Sequence, residues 1–248
     1  MSQRDVQVMT PDGASPASLH VPAGEGPWPG VILYPDAAGL RDTIRGMGER
    51  MAEMGYVTLV PDAYHRHGAW TPFDPATVFR DPEERERLMS MVHSVTADLA
   101  VRDAGAYVDY LLSLPEVAGD AVGTTGYCMG GRLSLIVAAH LGERIAAAAS
   151  FHGSDLANAD DLDSPHHRAA SISATVYVGG ATGDASFPAE QRDLLESALT
   201  QAGVAHTIVT YPAAHGFAVA DNGTYDPAAA DTHWEALTQL YATALDVA

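Results

Sequence analysis

Short β-branched and apolar runs alternate along the chain with longer segments whose apolar residues recur at helical spacing. Residues 6–9 and 18–21 flank the turn-forming Pro11-Asp12-Gly13 and predict a leading hairpin. Residues 30–34 (GVILY, then Pro35) and 57–60 (VTLV, then Pro61) predict buried strands. Between them, residues 42–54 predict a helix stopped by Gly55. Residues 96–114 carry Leu99, Ala106, Tyr110 and Leu114 at helical steps and end before Pro115. A short strand over 121–125 leads to a helix over 130–141. Strands over 145–151, 175–178 and 206–211 then alternate with helices over 189–201 and 228–245.

This rhythm predicts an α/β protein: a mostly parallel sheet with helices on both faces. Sheets of this kind carry their sites at the C-terminal ends of the strands. No repeat, low-complexity tract or linker interrupts residues 1–248, so one domain is expected. Residues 64–94 break the rhythm, first rich in Pro, His and aromatics, then charged. An excursion of this length suits a cover over an active site and equally a surface insertion.

Charge narrows the partners. The 248 residues carry 32 acidic and 13 basic side chains, all 13 of them Arg, for a net charge of -19. Such a chain does not hold a phosphate backbone by bulk electrostatics, so nucleic acid is not an expected partner. Anionic membrane surfaces are disfavoured too. Cys128 is the single cysteine, which leaves no internal disulfide and no argument for secretion. No signal-peptide pattern opens the chain, and no apolar run approaches the roughly 18 residues of a membrane span. A cytoplasmic protein is therefore expected. His65-Arg66-His67 and His166-His167 lack metal-ligand spacing, so neither a metal nor another cofactor is expected.

The sharpest motif is Gly126-Tyr127-Cys128-Met129-Gly130-Gly131, set between a predicted strand and a predicted helix. It matches the strained strand-to-helix turn that projects a nucleophile, with Cys where Ser is common. The glycines are needed because a Cβ beside so tight a turn would meet neighbouring backbone. Amides of the first helical turn, Met129 above all, point at whatever bonds to the nucleophile and suit a developing oxyanion. Such a turn predicts an acid and then a histidine on later strand ends. Asp184 follows the strand at 175–178, and His215 follows the strand at 206–211. His215 is the candidate base and Asp184 the group that orients it. Asp193 and Asp221 are weaker candidates for the acid. His152, at the end of another strand, can approach the same edge. Tyr64, Trp70, Phe73 and Phe79 are candidates to line an apolar pocket or to form a small core of the insertion.

These residues, together with Pro61-Asp62-Ala63-Tyr64, Asp184 four places before Pro188, and His215-Gly216-Phe217, resemble the dienelactone hydrolase family of α/β-hydrolases over nearly the whole chain. The resemblance implies an α/β-hydrolase fold and hydrolysis of a small ester or lactone by a Cys128-His215-Asp184 triad. It also implies an oxyanion hole from the amides of Met129 and Ala37. Two departures stand out. Family members place a Glu after the first parallel strand, where it meets the resting thiol; here Asp36, one methylene shorter, is the thiol-gating candidate. They also bind a substrate carboxylate with arginines, one of them shortly after the catalytic histidine. No Arg follows His215, and Arg87 is the remaining candidate, with Tyr64 and Trp70 as further substrate-binding candidates. A lone activated thiol also suits a different class of protein, a non-catalytic binding or redox-sensing module on the same fold.

Overall fold

The computed structural model describes residues 1–245. Strands β1 (Ser2–Thr10) and β2 (Gly13–Val21) form an antiparallel hairpin. β2 also runs antiparallel to β4 (Val57–Pro61), and every pairing beyond that is parallel. The remaining strands are β3 (Trp28–Tyr34), β5 (Val117–Tyr127), β6 (Ile145–Phe151), β7 (Thr175–Ala181) and β8 (His206–Tyr211). The order across the eight-stranded sheet is β1-β2-β4-β3-β5-β6-β7-β8.

Helices cover both faces, and the strand sequences show why. In β3, Val31 and Leu33 pack into one buried cluster, while Ile32 and Tyr34 pack into the other. A strand buried on both sides reads as an unbroken apolar run, which is what GVILY is. The first face carries α1 (Asp42–Glu53) and α6 (Pro227–Ala244), through Ile44, Met51, Leu237 and Tyr241. The second carries α3 (Ala97–Ser113), α4 (Met129–Leu141) and α5 (Ala189–Gln201), through Val108, Leu133 and Leu195.

Several elements differ from the sequence pattern: β1 starts at Ser2 rather than 6, β2 at Gly13 rather than 18, and β7 runs on to Ala181 rather than 178. β5 starts at Val117 rather than 121, because Val117 and Ala118 pair with Trp28 and Pro29 across an irregularity. The exposed Gly119 and Asp120 interrupt the apolar run and hide that start. The excursion at 64–94 contains a further helix, α2 (Pro82–Ser94). Its signal was present in Asp81-Pro82-Glu83-Glu84. The Asp81 carboxylate accepts the Glu83 and Glu84 amides, Pro82 occupies the first turn, and two acidic residues sit at the positive end of the helix. Leu88 and Met91 turn inward and join the second cluster.

Strands β5, β6, β7 and β8 are consecutive neighbours, so the residues just beyond their ends share one edge of the sheet. Those residues are Cys128, His152, Asp184 and His215.

Candidate active site

Cys128 sits between β5 and α4 with φ 54° and ψ -117°, a strained conformation for a residue with a side chain. Its neighbours permit the turn only because they lack side chains. A Cβ on Gly126 would lie 2.0 Å from the Gly130 carbonyl oxygen, and one on Gly130 would lie 2.3 Å from the Tyr34 oxygen. The Cys128 amide donates to the Phe151 carbonyl at 3.1 Å, which pins the turn to β6. The sulfur has Ser154 Oγ at 3.9 Å.

His215 follows β8 through Pro212-Ala213-Ala214. Its Nδ1 lies 2.7 Å from Asp184 Oδ2, and Asp184 is almost fully buried. Ser186 completes the shell. Its amide and its hydroxyl donate to Asp184 Oδ1 at 2.9 and 2.6 Å. Burial alone would raise the Asp184 carboxyl, but the hydrogen bonds from His215 and Ser186 prevail and hold it at about 2. Burial likewise disfavours charge on His215, yet Asp184 and the Cys128 sulfur outweigh it and push the imidazole up to about 10. Cys128 and His215 line one small cavity of about 60 Å³, together with Asp36, His152 and Asn222.

His152 stands against that imidazole. It is fully buried at φ 38°, and neither ring nitrogen has a partner among the described residues. Burial, then the nearby His215 charge, push its pKa well below the ordinary value, so it is neutral.

On the other side, Cys128 opens into a larger cavity of about 500 Å³. Met129 and Ala37 lie at its wall beside the sulfur. Among the described residues, neither of their amides is engaged in a hydrogen bond. Ala37 is held from behind: its carbonyl accepts the Tyr64 hydroxyl at 2.8 Å, and the same hydroxyl lies 3.5 Å from Met129 Sδ.

Of the other candidates, Asp36 lies beside the thiol as expected, whereas Arg87, Tyr64 and Trp70 line neither cavity. Asp36 faces the small cavity, but Arg41 grips both of its carboxylate oxygens, at 2.7 and 3.0 Å, and the Ala38 amide adds a third donor. A carboxylate so committed is not a free proton acceptor for the thiol. Arg41 also binds Asp221 at 2.7 and 2.8 Å, so one guanidinium ties the Ala37 loop to the loop that follows His215. Arg87 lies outside both cavities. It pairs with Glu84 at 2.8 Å and stacks on Phe73 with its guanidinium carbon 3.8 Å from the ring centre. Tyr64 is fully buried and braces Ala37 rather than facing a cavity. Trp70 donates to Asp62 at 2.9 Å and packs edge-on against Tyr64, also outside both cavities. Arg41, Ser154 and Ser186 are not singled out by the sequence: Arg41 and Ser154 join segments far apart in the chain, through Asp221 and Cys128, whereas Ser186 closes a local turn onto Asp184, two residues before it. Among the described residues no group of His, Cys, Asp and Glu is placed to hold a metal ion. No described helix is long and apolar enough to cross a membrane.

A mostly parallel sheet with helices on both faces and a strained, glycine-flanked strand-to-helix turn after β5 is the architecture of an α/β-hydrolase. The dienelactone hydrolase family model matches residues 16–245, and the chain belongs to that family. It is a dienelactone hydrolase-like hydrolase. A carboxymethylenebutenolidase of Pseudomonas sp. (strain P51) is 30% identical over 217 residues, covering 87% of this chain and 84% of the relative. The dienelactone hydrolase-like promiscuous phosphotriesterase P91, from metagenomic libraries, superposes with a TM-score of 0.76 at 25% identity, covering 98% of this chain and 99% of its own. An acylaminoacyl peptidase of Pyrococcus horikoshii shares the fold alone, with a TM-score of 0.72 at 13% identity, covering 98% of this chain and 42% of its own.

Proposed function

We propose that this hydrolase cleaves a small carboxylic ester or lactone by thiol catalysis, with Cys128 as nucleophile, His215 as acid and base, and Asp184 as the group that orients His215. The sulfur of Cys128 attacks the carbonyl carbon, and the oxygen takes up negative charge against the amides of Met129 and Ala37. Collapse breaks the bond to the leaving oxygen, which takes the proton held by His215; a thioester remains on Cys128. Neutral His215 then draws a proton from water as its oxygen attacks the thioester. The carboxylic acid leaves, and the sulfur and His215 return to their starting forms. Asp184 keeps the imidazole in one tautomer and stabilises its charged state. Arg41 and Tyr64 position the machinery without touching the substrate.

The observation that carries this reading is the placement of Cys128 and His215 on one cavity, with Asp184 2.7 Å behind the imidazole. A thiolate leaves about as readily as it attacks, which favours activated esters and lactones over amides. A redox-sensing role would need the thiol alone and leaves the His215-Asp184 pair without a purpose.

Acid quench of the protein during turnover of 4-nitrophenyl acetate, followed by intact and peptide mass analysis, tests it. An acetyl group on Cys128 is expected, with turnover lost in Cys128→Ala. A Cys128→Ala variant that hydrolyses the ester at the wild-type rate overturns the reading.

A further inference from the structure

We propose that the acyl group this enzyme accepts is uncharged and apolar, and that a carboxylate on the substrate is refused. The inference rests on the thiol reading above and concerns which ester that site takes.

The two cavities that meet at Cys128 differ in their walls. His215 lines only the small one, so the leaving oxygen, which must receive the His215 proton, departs on that side. The acyl group therefore occupies the larger cavity of about 500 Å³. Much of that wall is apolar: Phe79, Leu88, Met89 and Val92 come from the excursion and α2, and Leu133 and Ile136 come from α4.

The charges on this wall are unfavourable to an anion. Arg132 is the only Arg among the lining residues, and it is already engaged. Its guanidinium donates to Asp161 Oδ2 and to the Asp155 carbonyl oxygen. Three carboxylates, Asp155, Asp161 and Asp163, share the wall with that one guanidinium, and His93, Thr96, Ser154 and Ser186 complete its polar part. Arg87 is tied to Glu84 and stacked on Phe73, outside the cavity. A substrate carboxylate would give up its water for a largely apolar wall, find no free cation, and face net negative charge. The chain's charge of -19 adds repulsion at longer range. A methyl group in the same place gains contact and loses little.

Two esters of equal length separate the possibilities: 4-nitrophenyl pentanoate, and mono-4-nitrophenyl glutarate, which ends in a carboxylate instead of a methyl group. At pH 8 and low salt, kcat/KM for the pentanoate is expected to exceed that for the glutarate by at least about tenfold. Raising salt to about 0.5 M should narrow the gap, because charge on the wall is screened. Asp161→Asn with Asp163→Asn should narrow it further, chiefly by raising the glutarate rate. Asn at 161 keeps the side-chain oxygen that accepts the Asp163 amide, so the turn is preserved. Equal or faster turnover of the glutarate overturns the proposal, as does a gap unmoved by the double substitution. Hydrolysis of neither ester counts against the thiol reading itself and takes this proposal with it.

Discussion

The imidazoles of His152 and His215 meet edge to face, their ring centres 5.0 Å apart and their planes at 60°. One ring is charged and the other is not. His215 has Asp184 behind it, whereas His152 has only the sheet edge and the rings of Tyr127 and Phe217. A proton on His152 would therefore oppose the proton His215 needs. Because the folded pKa of His152 lies below that of the unfolded chain, the folded state binds fewer protons there, and stability falls as pH drops below about 6.5. His152→Phe keeps an aromatic edge and removes this contribution. The fall in melting temperature from pH 7 to pH 5 should be smaller in the variant than in the wild type. Identical falls would show that His152 does not titrate as argued.

His233 is pushed down to about 3 by burial, with its Nε2 3.0 Å from the Tyr127 hydroxyl. It acts in the same direction, and by pH 5 contributes roughly 2 kcal/mol of destabilisation. His233→Gln should flatten the same acid limb, read by urea denaturation at pH 7 and pH 5. A variant with the wild-type difference between the two pH values would overturn this.

Asp184 and His215 act in the opposite sense. Asp184 sits below the ordinary carboxyl value, so its contribution is present above about 4 and fades as pH falls toward 2. His215 sits above the ordinary imidazole value, so its contribution is complete below about 6.5 and fades as pH rises through 10. The stability difference between wild type and Asp184→Asn should therefore be largest between about pH 4 and 6.5 and shrink toward pH 10. The same variant should lower kcat about 10²–10⁴-fold. Thermal melts across pH and ester kinetics check the two halves separately.

Arg41→Met leaves the carboxylates of Asp36 and Asp221 facing each other without their shared cation. Loss of one partner from a buried ionic network costs about 3–5 kcal/mol. The variant should unfold at lower urea and lose activity, since the Ala37 loop and the loop after His215 are no longer tied. Adding Asp36→Asn and Asp221→Asn should recover much of the stability. A loss below about 1 kcal/mol would mean that the network does not brace the fold.

At residue 128 the usual order of small residues should reverse. Ala ordinarily stabilises relative to Gly, but at φ 54° the Cβ is strained and Gly is not. Cys128→Gly should melt above Cys128→Ala by about 2–4 °C, with both inactive. The reverse order would show that the turn relaxes once the sulfur is gone.

Much of the architecture could be read in advance, because a strand buried on both faces and a helix with one buried face have different periods. GVILY and the 96–114 segment were legible for that reason. The start of β5 was not, since Gly119 and Asp120 break the apolar run although the backbone pairing continues. The strained turn at Cys128 was legible because its crowding demands glycine at fixed positions. The surroundings of Asp36 were not. Proximity to the end of β3 suggests the thiol as its neighbour, and the two do line one cavity, but the local grip of Arg41, five residues on, and its tie across the fold to Asp221 have no pattern in the sequence. Arg87 fails for a similar reason: a cation in a run of glutamates finds its partner one helical turn away.

Helix α2 lies outside the sheet that carries Cys128, Asp184 and His215, yet Leu88, Met89 and Val92 shape the space beside the sulfur. On the proposed thiol mechanism, reactivity and selectivity are thus built from separable parts of the polypeptide. On that reading, recutting one amphipathic segment would change the diet of this enzyme and leave the bond-breaking apparatus as it stands.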